Sequence, residues 1–174
     1  MRRARILVLA GLLVAALASS APAAGGSHVV GSANGGSVLD IHNMFGLELI
    51  EVQPFSFTAE LYADGTVSGE YLYRTVDDGV PFLARGPITC AVIDGNRGWF
   101  GGLIENSSDP SLNGLDMWFQ VADNTEPGAD ETPDMTTLIG AGGPGEAQDY
   151  CERAPEPRFP FFLEHGEIQV RDFG

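Results

Sequence analysis

Hydrophobic and polar residues alternate along much of the chain, which is the pattern of half-buried β-strands. In segment 55–63 the odd positions carry only apolar residues, namely Phe55, Phe57, Ala59, Leu61 and Ala63. Alternate side chains of a strand point to opposite faces, so one face of this segment is predicted to be buried. Segment 66–74 repeats the alternation after Asp64-Gly65, a sequence typical of tight turns, and the two segments predict a β-hairpin.

The same pattern predicts further strands downstream. Segments 87–93 and 97–104 flank Asp94-Gly95-Asn96, a sequence that favours a short reversal, and they predict a second hairpin. Shorter or isolated strands are predicted at 39–41, 47–52, 115–123, 136–139 and 167–173, and at 159–163, which either closes the sheet or is an exposed contact segment. The 23 glycines and 11 prolines oppose long helices.

These elements predict an all-β domain of roughly eight to ten short strands, spanning residues 37–174. Consecutive strands joined by tight turns favour a single antiparallel barrel, because closure removes exposed strand edges. A β-sandwich with Greek-key connections is the alternative.

The first 24 residues have the features of a secretory signal peptide. Three arginines precede an unbroken apolar run from Ile6 to Leu17, and small residues follow as far as Ala24. The apolar run is too short for a permanent membrane span, so we predict cleavage near Ala24 and export. Residues 25–36, rich in Gly and Ser, are predicted to form a flexible leader or an irregular first edge strand.

The predicted mature chain is strongly acidic. Removing the signal peptide takes away three of the nine basic side chains and none of the 24 acidic ones, so the formal net charge falls from −15 to −18. A surface of this sign repels phosphate backbones and anionic lipid headgroups. Nucleic acid is therefore excluded as a partner, and charged partners are expected to be cations or basic surfaces.

The two cysteines, Cys90 and Cys151, both lie in the predicted exported part. An oxidising compartment and an even count favour one structural disulfide. Two thiols without Cys-x-x-Cys spacing fit neither a redox catalyst nor a zinc site. Closing a loop of about 60 residues would stabilise the domain by roughly 4 kcal/mol.

The loop at 123–134 contains five carboxylates. Calcium is bound by about six to eight oxygen ligands, and we take Asp123, Asp130 and Asp134 as its candidate ligands here. The alternative is that Asp123, Asn124 and Asp134 cap turns through hydrogen bonds to the backbone.

Several aromatic residues are candidates for ligand recognition. Trp99, Trp118 and Tyr71 could form a platform for a sugar or an apolar ligand, and Trp118 falls on the more polar side of its predicted strand. The alternative is that these rings cover an end of the fold or pack under a loop.

No catalytic motif is present in the sequence. The three histidines have no recognisable partner, and signatures of serine hydrolases, zinc proteases and dinucleotide sites are absent. Residues 142–145 are glycine-rich but are interpreted as a plain loop, with neither a lysine nor a following helix. Glu60, Glu70 and Glu105 are the carboxylates that an enzyme would place inside a barrel cavity.

Short motifs link the chain to a known group of proteins. They are Phe55-x-Phe57-x-Ala59, Asp64-Gly65-x-Val67-x-Gly69, Arg85-Gly86-Pro87-Ile88-Thr89-Cys90, and Asp123-Asn124-x-Glu126-Pro127-Gly128 with Pro133-Asp134. In this combination the chain resembles a widespread family of small exported bacterial proteins of uncharacterised function. The resemblance implies secretion, β architecture and a recurrent acidic loop, and it supplies no catalytic residues.

These features together predict a secreted, non-enzymatic β domain, located outside the cell or in the periplasm. It is expected to bind an extracellular ligand or surface, or to serve as an envelope-associated structural module, with no membrane span after processing. The alternative function is a small barrel enzyme, an isomerase or hydrolase, acting on a small molecule in the barrel cavity.

Overall fold

The computed structural model describes residues 29–40, 52–77, 80–124, 132–158, 160–163 and 166–173. This part of the chain contains eleven strands, one α-helix and one 3-10 helix. The elements in chain order are β1 (Val29–Asp40), β2 (Val52–Tyr62), β3 (Val67–Asp77), β4 (Val80–Asp94), β5 (Arg97–Leu103), β6 (Asn106–Ser107), the 3-10 helix (Pro110–Leu112), β7 (Asp116–Ala122), β8 (Met135–Thr137), β9 (Gly140–Gly142), α1 (Glu146–Arg153), β10 (Pro160–Phe162) and β11 (Gly166–Asp172).

The strands form one antiparallel path in the order β10-β8-β7-β5-β4-β3-β2-β1-β11. Strand β6 adds to β4 and β9 adds to β7. The predicted antiparallel β class is therefore confirmed. Within the described residues β10 and β11 do not pair with each other, so the backbone ladder does not close into a barrel.

The two predicted hairpins are confirmed. Strands β2 and β3 pair around the turn at Asp64-Gly65, where the Gly65 N–H donates to the Tyr62 carbonyl over 2.8 Å. Strands β4 and β5 pair as far as Asp94 and Arg97 at the second turn. Local alternation and turn chemistry were sufficient to predict both.

The flexible-leader interpretation is wrong for residues 29–36, which belong to β1. The alternative of an edge strand is correct only in predicting a strand, because β1 is an interior strand that pairs with both β2 and β11. Its glycines suit this position, because a Cβ at Gly35 would lie only 2.7 Å from the carbonyl oxygen of Glu167 on β11. Residues 1–28, which include the predicted signal peptide, and residues 41–51 lie outside the described residues.

Strand β4 connects the two halves of the sheet. Its residues 80–87 pair with β3 and its residues 88–94 pair with β5. The change of partner lies between Pro87 and Ile88, close to Gly86, where any Cβ would overlap the carbonyl oxygen of Leu103. The missing side chain thus lets the end of β5 pass over β4 and lets the sheet fold back on itself.

The core lies between the two halves of the sheet and includes four phenylalanines that pack against one another. Phe57 on β2 packs against Phe100 and Phe119, with ring centroids 5.2 and 5.1 Å apart, and Phe55 lies 4.8 Å from Phe119. All four rings are at most 4% exposed. The predicted buried face of segment 55–63 is confirmed at Phe55, Phe57 and Ala59.

Helix α1 begins directly after residues 142–145, so the interpretation of these residues as a loop without a following helix is wrong. The helix was not predicted. Eight residues are too few for a clear 3.6-residue pattern. The helix depends instead on distant groups. The Asp116 carboxylate accepts the N–H groups of Gly145 (2.7 Å) and Ala147 (3.1 Å) at its positive end.

The predicted disulfide is confirmed, and it joins Cys151 on α1 to Cys90 on β4. Gly101 on β5 makes room for it, because a Cβ there would lie 2.6 Å from Cys90 Sγ and 2.9 Å from Ala147 Cβ. The bridge therefore holds α1 on the outer side of β4 and β5. Among the described residues, no helix is long and apolar enough to cross a membrane.

Candidate functional site

A groove of about 720 Å³ lies on the outer face of β2, β3 and the first half of β4. We call it the sheet groove. Its apolar floor includes Leu72, Leu83 and Pro87. Its polar lining consists of two hydroxyls, two carboxylates, two guanidinium groups and one amide, from Ser56, Thr58, Glu70, Glu105, Arg74, Arg85 and Asn106.

Strand register brings three of these charges together. Glu70 and Arg74 lie two positions on either side of Leu72 on β3, and Arg85 on β4 is the cross-strand partner of Leu72. Arg85 is therefore a diagonal neighbour of both Glu70 and Arg74, and long side chains reach each other at this spacing. All three side chains are exposed on the same face of the sheet.

The segment after β5 forms one wall of the sheet groove. Asn106 pairs with Arg85, and the Glu105 N–H donates to the Arg85 carbonyl over 3.1 Å. The Leu83 N–H donates to the Ser108 hydroxyl, and the Ser108 N–H donates to the Leu83 carbonyl. Backbone pairing therefore fixes where Glu105 and Asn106 stand relative to the strands.

Tyr71, a predicted ligand-binding residue, lies beneath this groove and is only 3% exposed. Its hydroxyl donates to the Leu103 carbonyl over 3.4 Å. Burial raises the pKa of Tyr71 above its ordinary value, and the negative charge of Glu105 adds to the effect. The residue supports the floor of the groove and presents no open ring face.

A second groove, of about 370 Å³, lies between β7 to β9, α1 and residues 155–158. We call it the helix groove. Trp118 lines it and stacks on Tyr150 of α1 with ring centroids 6.0 Å apart. The indole also lies against the backbone of β9, where a Cβ at Gly140 or Gly142 would crowd the ring.

Trp99 lies below the helix groove and is 5% exposed. Its indole N–H donates to the Pro155 carbonyl over 2.8 Å, as the alternative of packing under a covering segment predicts. The structure thus separates the three predicted aromatic residues. Tyr71 belongs to the sheet groove, whereas Trp118 and Trp99 belong to the helix side of the sheet.

Gln120 was missed by the sequence analysis. It lies on β7 between Trp118 and Ala122, is 0% exposed, and its Nε2 and Oε1 atoms have no hydrogen-bond partner within the described part of the chain. Its backbone N–H donates to Thr137 Oγ1 over 2.9 Å. The signal available in the sequence was a polar residue within an otherwise apolar strand end, next to a tryptophan of the same parity.

The predicted calcium ligands Asp123 and Asp134 accept hydrogen bonds from the backbone. Asp134, 5% exposed, accepts the Asn124 N–H at Oδ1 (3.0 Å) and the Ile168 N–H at Oδ2 (2.8 Å). Asp123 Oδ2 accepts the Val170 N–H over 3.1 Å. These are side-chain hydrogen bonds to the backbone, as the capping alternative predicts. Two of the donors, however, are Ile168 and Val170 on the distant strand β11.

Asp130, the third candidate ligand, lies outside the described residues. Among the residues that the structure describes, no group of three or more His, Cys, Asp or Glu side chains is arranged to hold a metal ion. Both oxygens of Asp134 already face N–H donors. Calcium binding by this loop stays a prediction.

The two aspartates bridge the open side of the sheet. Ile168 and Val170 are alternate residues of β11, so their N–H groups point to the same side of that strand, away from β1. The carboxylates of Asp134 and Asp123, which adjoin β8 and β7, accept these two N–H groups. We call this bridge the carboxylate seam.

The three carboxylates of the enzyme alternative do not lie inside a cavity. Glu60, Glu70 and Glu105 are all exposed, and Glu70 and Glu105 line the open sheet groove. The reason is strand parity, because Glu60 and Glu70 occupy the positions that alternate with the buried Phe57 and Tyr71.

Tyr71, which is buried, and Tyr150, which is partly buried, predict an alkaline limit to stability. Burial raises the pKa of Tyr150 from 10 to about 12, against a smaller opposite effect of its hydrogen bond with Thr137, and the pKa of Tyr71 is also raised. As the pH rises, the unfolded chain therefore releases these protons at a lower pH than the folded chain does. The contribution of the two tyrosines to the free energy of unfolding is complete below pH 10 and is lost as the pH rises through 12. We expect thermal melts to show this fall, and to show a shallower one for Tyr150→Phe. Ionisation of all four tyrosines near pH 10 without unfolding would contradict it.

Comparisons with models of protein families, with curated proteins and with solved structures gave no match to this chain. The resemblance to small exported bacterial proteins therefore stays a prediction from the sequence.

Proposed function

We propose that the chain is an exported, non-enzymatic binding domain whose sheet groove takes a neutral polyhydroxylated ligand, an oligosaccharide. The observation that carries this proposal is the balanced set of charges on one open face. Glu70 and Glu105 are matched by Arg74 and Arg85 in the groove, although acidic side chains outnumber basic ones 24 to 9 in the whole chain.

The chemistry of the groove suits hydroxyl groups. A carboxylate accepts two hydrogen bonds side by side and a guanidinium donates two, so each is complementary to a pair of neighbouring hydroxyls. Ser56, Thr58 and Asn106 add further donors and acceptors. With no net charge among its four ionic side chains, the groove favours a neutral chain over a phosphate-rich one.

The absence of enclosure supports binding over catalysis. Hydrolysis or isomerisation of a small molecule calls for ionisable groups that converge in a partly dry cavity. The candidate carboxylates instead are exposed, and phenylalanine rings fill the space between the two halves of the sheet. An open groove on a rigid sheet is suited to holding a ligand without transforming it.

Export and barrel architecture belong to the same proposal. The signal-peptide pattern of residues 1–24 supports export, and the Cys90–Cys151 disulfide fits an oxidising compartment. The carboxylate seam supports a barrel in which side chains complete one join that the backbone ladder leaves open. A sandwich of the two halves is the alternative arrangement.

Calorimetric titration with cellohexaose, maltohexaose and laminarihexaose tests the proposed function. We expect the chain to bind at least one of them, and Glu70→Gln to weaken that binding about 10-fold or more, because a charged hydrogen bond is lost. Glu60→Gln is the matched control, since Glu60 is exposed on the same face but does not line the groove. Absence of binding to all three sugars, or equal losses in the two variants, would overturn the proposal.

A further inference from the structure

Gln120 lies on the helix-groove side of the sheet. Trp118, two residues before it on β7, lines the groove, and so does Thr137, whose hydroxyl oxygen accepts the Gln120 N–H. The cross-strand partner of Gln120 on β5 is Trp99, whose indole N–H donates to the carbonyl of Pro155 in the wall of the groove. Gln120 itself is buried and does not line the groove, but its neighbours on β7, β8 and β5 line the groove or hold its wall.

The buried amide of Gln120 is costly as it stands. A buried donor or acceptor without a partner destabilises a fold, and Gln120 carries both on one side chain that is 0% exposed. Native proteins satisfy nearly all such atoms, so each exception calls for an explanation. An apolar residue of similar size would pack here without unmet hydrogen bonds.

The cover on this side of the sheet is lightly held. In the described residues from 155 to 158, Pro155 accepts one indole N–H, and the largely exposed Glu156 pairs over 3.5 Å with Arg97, whose side chain is 45% exposed. Exposed ion pairs of this kind contribute little to stability. For a ligand to reach Gln120, this segment would have to move away from the sheet, and these are the two polar contacts that would break.

We propose that the helix groove is a second binding site, which takes a small molecule bearing an acetamido group, and that Gln120 recognises that group. An amide presents one donor and one acceptor in a plane, and another amide presents the matching pair. Binding would satisfy Nε2 and Oε1 of Gln120 together, while the rings of Trp118 and Tyr150 provide apolar contact for the methyl group. A volume of about 370 Å³ suits a ligand the size of one sugar ring.

The test compares N-acetylglucosamine with glucose, which differ at one position by the acetamido group. We expect N-acetylglucosamine to shift the indole N–H resonances of Trp99 and Trp118 in NMR titrations at millimolar concentration, and glucose to leave them in place. Gln120→Met should abolish the shifts and raise the melting temperature by a few degrees, because the unpaired amide is removed.

Gln148→Met is the matched control, because Gln148 is exposed on α1, whereas Gln120 is buried, and its side chain already bonds to Glu152. It should change neither the shifts nor the melting temperature beyond a degree or so. Three results would each overturn the proposal: no shift with N-acetylglucosamine, unchanged binding by Gln120→Met, or a lower melting temperature in that variant. The three glucose hexasaccharides carry no acetamido group, so failure at either groove is distinguishable from failure at the other.

Discussion

Replacing Asp134 with alanine is expected to lower the free energy of unfolding by about 3–5 kcal/mol. The carboxylate accepts two backbone N–H groups from separate parts of the chain, those of Asn124 and Ile168. Hydrogen bonds to a charged group contribute about 1.5–3 kcal/mol each, and their loss would leave two donors unpaired in a site that is 5% exposed. Denaturant titration followed by tryptophan fluorescence would measure the change.

Asp134→Asn is the graded control for this prediction. An asparagine has nearly the same shape but keeps only one acceptor oxygen, so it can satisfy one of the two N–H groups and should lose about half as much stability. Hydrogen exchange at Ile168 should accelerate in both variants, more in the alanine variant. Wild-type stability in Asp134→Ala would show that β11 does not depend on the seam.

The same residues show where a sequence is informative and where it is not. The loop at 123–134 was noticed for its carboxylates, and composition suggested a cation. In the fold, Asp134 lies 34 positions from Ile168 in sequence and accepts its N–H. A side chain that serves a distant strand edge leaves no local pattern, because only the topology brings the two together.

The hairpins were predictable for the opposite reason. The partners in β2 and β3 are close in sequence, and the turn at Asp64-Gly65 fixes their register, with Ala59 opposite Gly69. This register also places Glu70 on the outer face. The close approach of the Leu103 carbonyl to Gly86 was not predictable from alternation, because it joins two different strands.

Composition was a poor guide to two elements, β1 and α1. The Gly and Ser residues of 29–36 suggested flexibility, yet a strand paired on both sides gains its hydrogen bonds from the backbone and needs no large side chains. Helix α1 is short and follows a glycine-rich loop, so its local signal was weak. Its supports, Asp116 and Cys90, come from other strands.

The double substitution of Cys90 and Cys151 by alanine should lower the free energy of unfolding by about 4 kcal/mol, which corresponds to a fall of roughly 10 °C in melting temperature. The bridge closes a loop with a sequence separation of 61 residues, so its removal frees a long stretch of the unfolded chain. Differential scanning calorimetry of the folded, oxidised protein and of the variant would measure the difference.

The loss should also be unequal across the fold. Without the disulfide, α1 is held to the sheet mainly by the Asp116 carboxylate and the stacking of Tyr150 on Trp118, whereas β2 and β3 keep their ladder and their phenylalanine core. Hydrogen exchange in the variant should therefore accelerate far more at position 151 and at its neighbours in α1 than at Phe57. Uniform acceleration would contradict this local effect, because it would mean that the helix and the sheet open as one unit and would leave only the effect of the bridge on the unfolded chain.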